Sequence, residues 1–164
     1  MLKRIAFVLL LLALEPGLAT AGDTAAAQKS KDFGGQPWVV DIEKLTVKNP
    51  YFRSTSWTGT NLQMTVMSIQ PGGEIGLERH EKNDQFIRVE QGRARVVMGK
   101  DKDRMTFDKK VSADWAIFIP AGYWHNITNI GDRPLKVYAI YAPPEHPPGT
   151  LHKTFEESEA AHGH

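Results

Sequence analysis

Nine short β-prone runs, each ended by a turn-forming break, fill the stretch from Trp38 to Tyr141 and leave little room for a long helix. They cover residues 38–45, 62–69, 75–80, 85–90, 94–98, 105–107, 115–119, 125–128 and 135–141. The breaks between them include Pro71-Gly72-Gly73, Glu90-Gln91-Gly92, Gly99-Lys100-Asp101, Pro120-Ala121-Gly122 and Gly131-Asp132-Arg133-Pro134, which supply the backbone angles of tight turns. Many short strands at close spacing predict an all-β sandwich or barrel. A chain of 164 residues, 41% of them hydrophobic, is enough for one such domain with its own core. Alternation along the runs assigns Gly76, Glu78 and His80, then Gln85, Ile87 and Val89, and later His125 and Ile127 to the interior.

The flanks read differently. Lys3 and Arg4 precede the apolar run Ile5 to Leu14, and Ala19-Thr20-Ala21 offers a small-residue cleavage site, so residues 1–21 are expected to be a secretory signal peptide. That predicts a periplasmic or secreted protein with no membrane partner after cleavage, because the apolar run is too short to span a bilayer. Removing residues 1–21 takes Lys3, Arg4 and Glu15 from 20 basic and 19 acidic residues and leaves the two signs equal, which argues against a nucleic-acid partner. With no cysteine, disulfides, thiol nucleophiles and thiolate metal sites are excluded. Residues 22–36 lack apolar periodicity and are expected to form a flexible lead-in. After Ala142 the chain turns to Pro143-Pro144-Glu145-His146-Pro147-Pro148-Gly149, an extended strap, followed by a short helix from Thr154. Thr154 and Glu157 have capping-box spacing, and Phe155 is placed to pin that helix to the domain.

Chemistry concentrates in two segments. Glu78 and His80, two apart on a strand, project to the same side and can grip one ion with His125 from a later strand. Two imidazoles and a carboxylate suit a divalent transition metal (Zn, Mn, Fe, Ni or Cu) and leave positions open for water or substrate. Asp84, beside Gln85, competes for the interior, since a one-residue slip of register exchanges the two. Four of the six histidines, at 146, 152, 162 and 164, are spread too widely to form one compact ligand set, although the prolines around His146 can fix it near the barrel.

The spacing resembles the two signature motifs of the cupin superfamily over roughly residues 38–142. In that family the first motif runs Gly, five residues, His-x-His, three or four residues, Glu, six residues, Gly. Here Gly72, Glu78-Arg79-His80, Gln85 and Gly92 keep that spacing. The second runs Gly, five residues, Pro-x-Gly, two residues, His, three residues, Asn, and Asp114, Pro120, Gly122, His125 and Asn129 keep it as well. The resemblance implies a small antiparallel double-stranded β-helix, the jelly-roll or cupin barrel, over residues 37–142, with residues 143–164 as the strap and short C-terminal helix. It implies a metal held by Glu78, His80, Gln85 and His125. Glu78 stands where the family has a histidine and Gln85 where it has a glutamate, so the set keeps its single negative charge with the carboxylate moved. Gln85 is a neutral oxygen donor, suited to a weak ligand or to a hydrogen bond with a metal-bound water. Asp114 replaces the first glycine of the second motif.

Two functions fit these residues. One is a metal-dependent enzyme acting on a small oxygen-containing molecule, of the dioxygenase, decarboxylase, isomerase or epimerase type, with Glu78 as ligand or as the catalytic base. The other is a non-catalytic module that binds a metal or small ligand. A homodimer is implied by the resemblance alone.

Overall fold

A computed structural model describes residues 28–162. The elements are α1 (Ile42–Lys48), β1 (Arg53–Thr58), β2 (Gln63–Ile69), β3 (Glu78–Arg79), β4 (Asp84–Gln91), β5 (Arg93–Gly99), β6 (Phe107–Ser112), β7 (Ala116–Ile119), β8 (Trp124–Asn129), β9 (Leu135–Ala142), β10 (Leu151–His152) and α2 (Phe155–His162). The strands form two antiparallel sheets, one in the order β10-β1-β2-β9-β4-β7 and the other β3-β8-β5-β6. The all-β expectation and the short C-terminal helix are both realised.

Between the sheets lie Met67 and Ile69 of β2, Ile87 and Val89 of β4, Val96 of β5, Ile127 of β8, and Leu135 and Val137 of β9, all essentially removed from solvent. Strict alternation puts them there: β4 buries Gln85, Ile87 and Val89 while Asp84 faces out, and β8 buries His125, Ile127 and Asn129. Each aliphatic side chain so buried stabilises the fold by about 1.5–3 kcal/mol. At one end the interior becomes polar, with Gln63, Thr65, Gln85, His125 and Arg53 all buried.

Several local expectations are corrected. The run at 38–45, expected as strand, instead leads into α1 over residues 42–48, because the Asp41 carboxylate accepts the backbone N–H of Lys44 at 3.0 Å and caps the helix. β1 has no counterpart among the predicted runs, since its sequence Arg-Ser-Thr-Ser-Trp-Thr is polar; Thr55 and Ser56 are nonetheless buried. The strand expected over 75–80 shrinks to Glu78–Arg79: Ile75 enters the core, and Gly76, at φ +91°, breaks the alternation ahead of Glu78. Part of the lead-in is held rather than free. Asp32 accepts the Thr58 hydroxyl at 2.6 Å, and the backbone N–H groups of Ser30 and Phe33 bond to Gly149 and Ser56. The expected signal peptide and residues 22–27 of the lead-in lie outside the described residues.

α2 begins as its sequence predicts. The Thr154 hydroxyl accepts the Glu157 N–H at 3.3 Å, and Glu157 takes the Lys153 N–H at 2.6 Å. Phe155 packs edge-on against the buried Phe52 with centroids 5.6 Å apart, which fixes the helix against the mouth of the barrel.

Candidate metal centre

β3 and β8 bring the donors together. Glu78 lies directly opposite His125 in their antiparallel register, so both side chains project from the same face, and His80 follows two residues after Glu78 on that face. The Pro120–Gly122 turn locks the two segments, because the Gly122 N–H donates to the His80 carbonyl at 2.8 Å. Gly122 sits at φ +78°, where a side chain is disfavoured. Glu78 Oε1 then lies 3.3 Å from His80 Nε2 and 3.3 Å from His125 Nε2. One ligand atom from each of Glu78, His80 and His125 falls within 4.8 Å of the others, and among the described residues this is the one such cluster of His, Asp or Glu.

The hydrogen-bond chemistry shows that a cation fits. His125 Nδ1 faces the Tyr123 carbonyl at 3.1 Å, which can only accept, so Nδ1 carries the proton and a neutral ring turns the bare lone pair of Nε2 toward Glu78. His80 Nδ1 faces the Glu145 carboxylate at 3.2 Å, so Nδ1 carries a proton there too and Nε2 points at Glu78, with a free lone pair whenever that ring is neutral. Three electron-pair donors therefore converge on one point. A proton on His80 reconciles part of this, yet His125 Nε2 remains buried without a hydrogen-bond partner. Such an atom calls for a positive charge between the donors.

Charge in the pocket agrees. Burial pushes the Glu78 carboxyl up, but the adjacent His125 and His80 rings and the Arg53 guanidinium outweigh it and hold the group well below the usual carboxylate range. Burial draws His80 down, and its contacts with Glu145 and Glu78 prevail, raising it to about 9.

The remaining expectations sort by position. Gln85 faces the same interior on β4, register partner of Tyr141, whose ring packs edge-on against His80 at 5.5 Å; the Gln85 Oε1 is buried without a hydrogen-bond partner. Asp84 points outward and accepts the Ala121 N–H at 3.0 Å, which removes it from the interior. Trp124 sits at the rim beneath the Arg79 and Lys102 side chains. α2 packs close to Gly76, where an added Cβ would meet Glu159 Oε1 at 3.3 Å.

Two residues were missed. Arg53 is 1% exposed, donates to Ser158 Oγ at 2.8 Å and lies 3.8 Å from Glu78 Oε2; nothing in its polar surroundings signals an inward cation. Glu145 reaches His80 from the strap, and its one signal was its place among four prolines beside His146. A cavity of about 210 Å³, lined by Arg53, Gly76, Glu78, His80, Trp124 and Glu145, opens onto the donors. A larger hollow of about 710 Å³ between Pro71–Gly73 and the start of α2 lies away from them.

A model of the cupin domain matches residues 65–141, and the protein YrkC of Bacillus subtilis is 52% identical over 131 residues, 80% of this chain and 70% of that one. The chain is a cupin. The L612 protein of Acanthamoeba polyphaga mimivirus is 41% identical over 117 residues, 71% of each chain. The crystal structure of BH2720 from Bacillus halodurans superposes on this cupin with a TM-score of 0.79 at 54% identity, covering 79% of this chain and 98% of that one. The likeness extends beyond the barrel of the family model, since four-fifths of the chain is matched at this identity.

Proposed function

We propose that this cupin is an exported metal-binding protein that acts as a metal-dependent enzyme on a small oxygen-containing molecule in the cavity beside Glu78. The observation that carries the reading is the convergence of three lone-pair donors, one of them the orphaned His125 Nε2, on a single buried point. Glu78, His80 and His125 hold the ion, and Gln85 adds a neutral oxygen on the same interior face. When bound, a divalent transition metal polarises an oxygen function of the ligand. The protein's own share is to keep Glu78 ionised through Arg53 and the histidines, to wall the cavity with α2 and Trp124, and to admit only small molecules through a space of about 210 Å³. Glu78 serves as ligand or as the base that accepts a proton.

A second reading, binding without turnover, is favoured by one feature. Both carboxylates at the donors are already paired, Glu78 with Arg53 and Glu145 with His80, which leaves few free acid–base groups in the cavity. Export is supported by the charged start, apolar run and small-residue site of residues 1–21; among the described residues no helix is long and apolar enough to cross a membrane. The exposed aromatic rings of Phe107, Trp115 and Phe118 on β6, β7 and the turn between them offer a homodimer its face.

Elemental analysis of the untagged full-length chain tests the metal reading. About one equivalent of a transition metal in the wild type, lost in Glu78→Ala, His80→Ala and His125→Ala, is expected. Metal retained by all three variants would remove the basis for the centre.

A further inference from the structure

The strap after β9 is more than a tail. Gln63 of β2, fully buried, grips it on both sides of one residue: its Nε2 donates to the His146 carbonyl at 2.7 Å, and its Oε1 accepts the N–H of His146 at 2.9 Å and of Glu145 at 3.2 Å. The strap is held again where Asn83 Nδ2 donates to the Pro143 carbonyl at 2.6 Å. The His146 ring packs edge-on against Tyr141 with centroids 5.1 Å apart, and Tyr141 in turn packs against His80. These contacts fix the backbone of residues 145–146 on the barrel and deliver the Glu145 carboxylate to 3.2 Å from His80 Nδ1, the ring nitrogen that faces away from the converging donors.

We infer that Glu145 is a positioning residue of the metal centre and that Gln63 is the latch that holds it in place. A carboxylate behind a ligating imidazole keeps the proton on Nδ1, so that Nε2 carries the lone pair, fixes the ring's orientation and makes Nε2 the stronger donor. The His80 side chain is 8% exposed, so the carboxylate acts with little competition from water. Gln63 explains why a charged side chain on an irregular segment meets a buried ring reliably: a primary amide satisfies both a carbonyl and two N–H groups of the strap at once, which no apolar residue can do. The strap thereby becomes a wall of the site although none of its atoms belongs to the converging donor set.

This inference rests on the metal-centre reading, and the test separates the two. The untagged full-length protein is titrated with zinc against a chelating dye, and with cobalt(II) to record its visible spectrum. Wild type, Glu145→Gln, Glu145→Ala and Gln63→Met are compared, with Glu159→Gln as a control that lines the cavity without touching a histidine. The wild type binds one ion. Glu145→Ala weakens zinc affinity by about 10–100-fold, while Glu145→Gln, which can still accept the Nδ1 proton, weakens it less. Gln63→Met follows Glu145→Ala, and the cobalt spectrum shifts in both. A purely structural strap would make no distinction between Gln and Ala at 145. Affinity within twofold of wild type and an unchanged cobalt spectrum in the Glu145 and Gln63 variants would overturn the inference while leaving the centre intact. No zinc or cobalt bound by the wild type would overturn both.

Discussion

His80 is the residue on which the centre turns. Its ring lies between two carboxylates, Glu78 at Nε2 and Glu145 at Nδ1, and in the metal-free protein its pKa rises to about 9 from an ordinary 6.5. Because the folded value is raised, the stabilisation supplied by the charged ring is fully present below about pH 6.5 and is lost as pH climbs through about 9. Metal-free protein is therefore expected to lose on the order of 1–3 kcal/mol of unfolding free energy between about pH 7 and 10, with the decline absent in His80→Gln. Denaturant titrations across that range check it, and a flat wild-type profile would contradict the pairing. His80, Glu78 and His125 were legible in the sequence because strand alternation and two motifs name them together. Arg53 and Glu145 were not, because each reaches the site from a segment without periodicity, and only the folded register of β1 and the Gln63 grip on the strap bring them in.

At the scale of elements, the turn between β6 and β7 shows how a motif survives a substitution. Asp114 occupies the family's glycine position at φ +71°, a conformation open to Asp but costly for branched side chains, and its carboxylate pairs with Arg88 at 2.6 Å. Asp114→Val is expected to destabilise the protein by about 1–3 kcal/mol, whereas Asp114→Gly stays within about 1 kcal/mol of wild type, since relief of the backbone offsets the lost exposed ion pair. Thermal or chemical melts of the two variants decide it; equal losses would show that the side-chain pair, not the backbone, sets the preference. Strands with clean alternation, such as β4 and β8, were readable in advance. β1 was not, because its buried residues are hydroxyl and guanidinium groups whose partners lie on α2, at Thr150 ahead of β10 and at Ser30, and α1 was masked by apolar residues that suit either element until the Asp41 cap is counted.

Across the whole molecule, two sheets enclose an aliphatic core at one end and a polar chamber at the other, and the residues after β9 close that chamber. β10 extends the larger sheet beside β1, α2 packs Phe155 on Phe52 and sets Glu159 over Gly76, and the strap places Glu145 behind His80. The barrel supplies the three converging donors, and the C-terminal segments border the small cavity beside them and set Glu145 against His80 Nδ1. The most direct test is a crystal structure of the zinc-loaded full-length protein with anomalous scattering measured at the zinc edge. A single strong peak is predicted about 2.0–2.2 Å from His80 Nε2, His125 Nε2 and a Glu78 carboxylate oxygen. Zinc held elsewhere, with those three side chains bonded only to one another, would contradict the account.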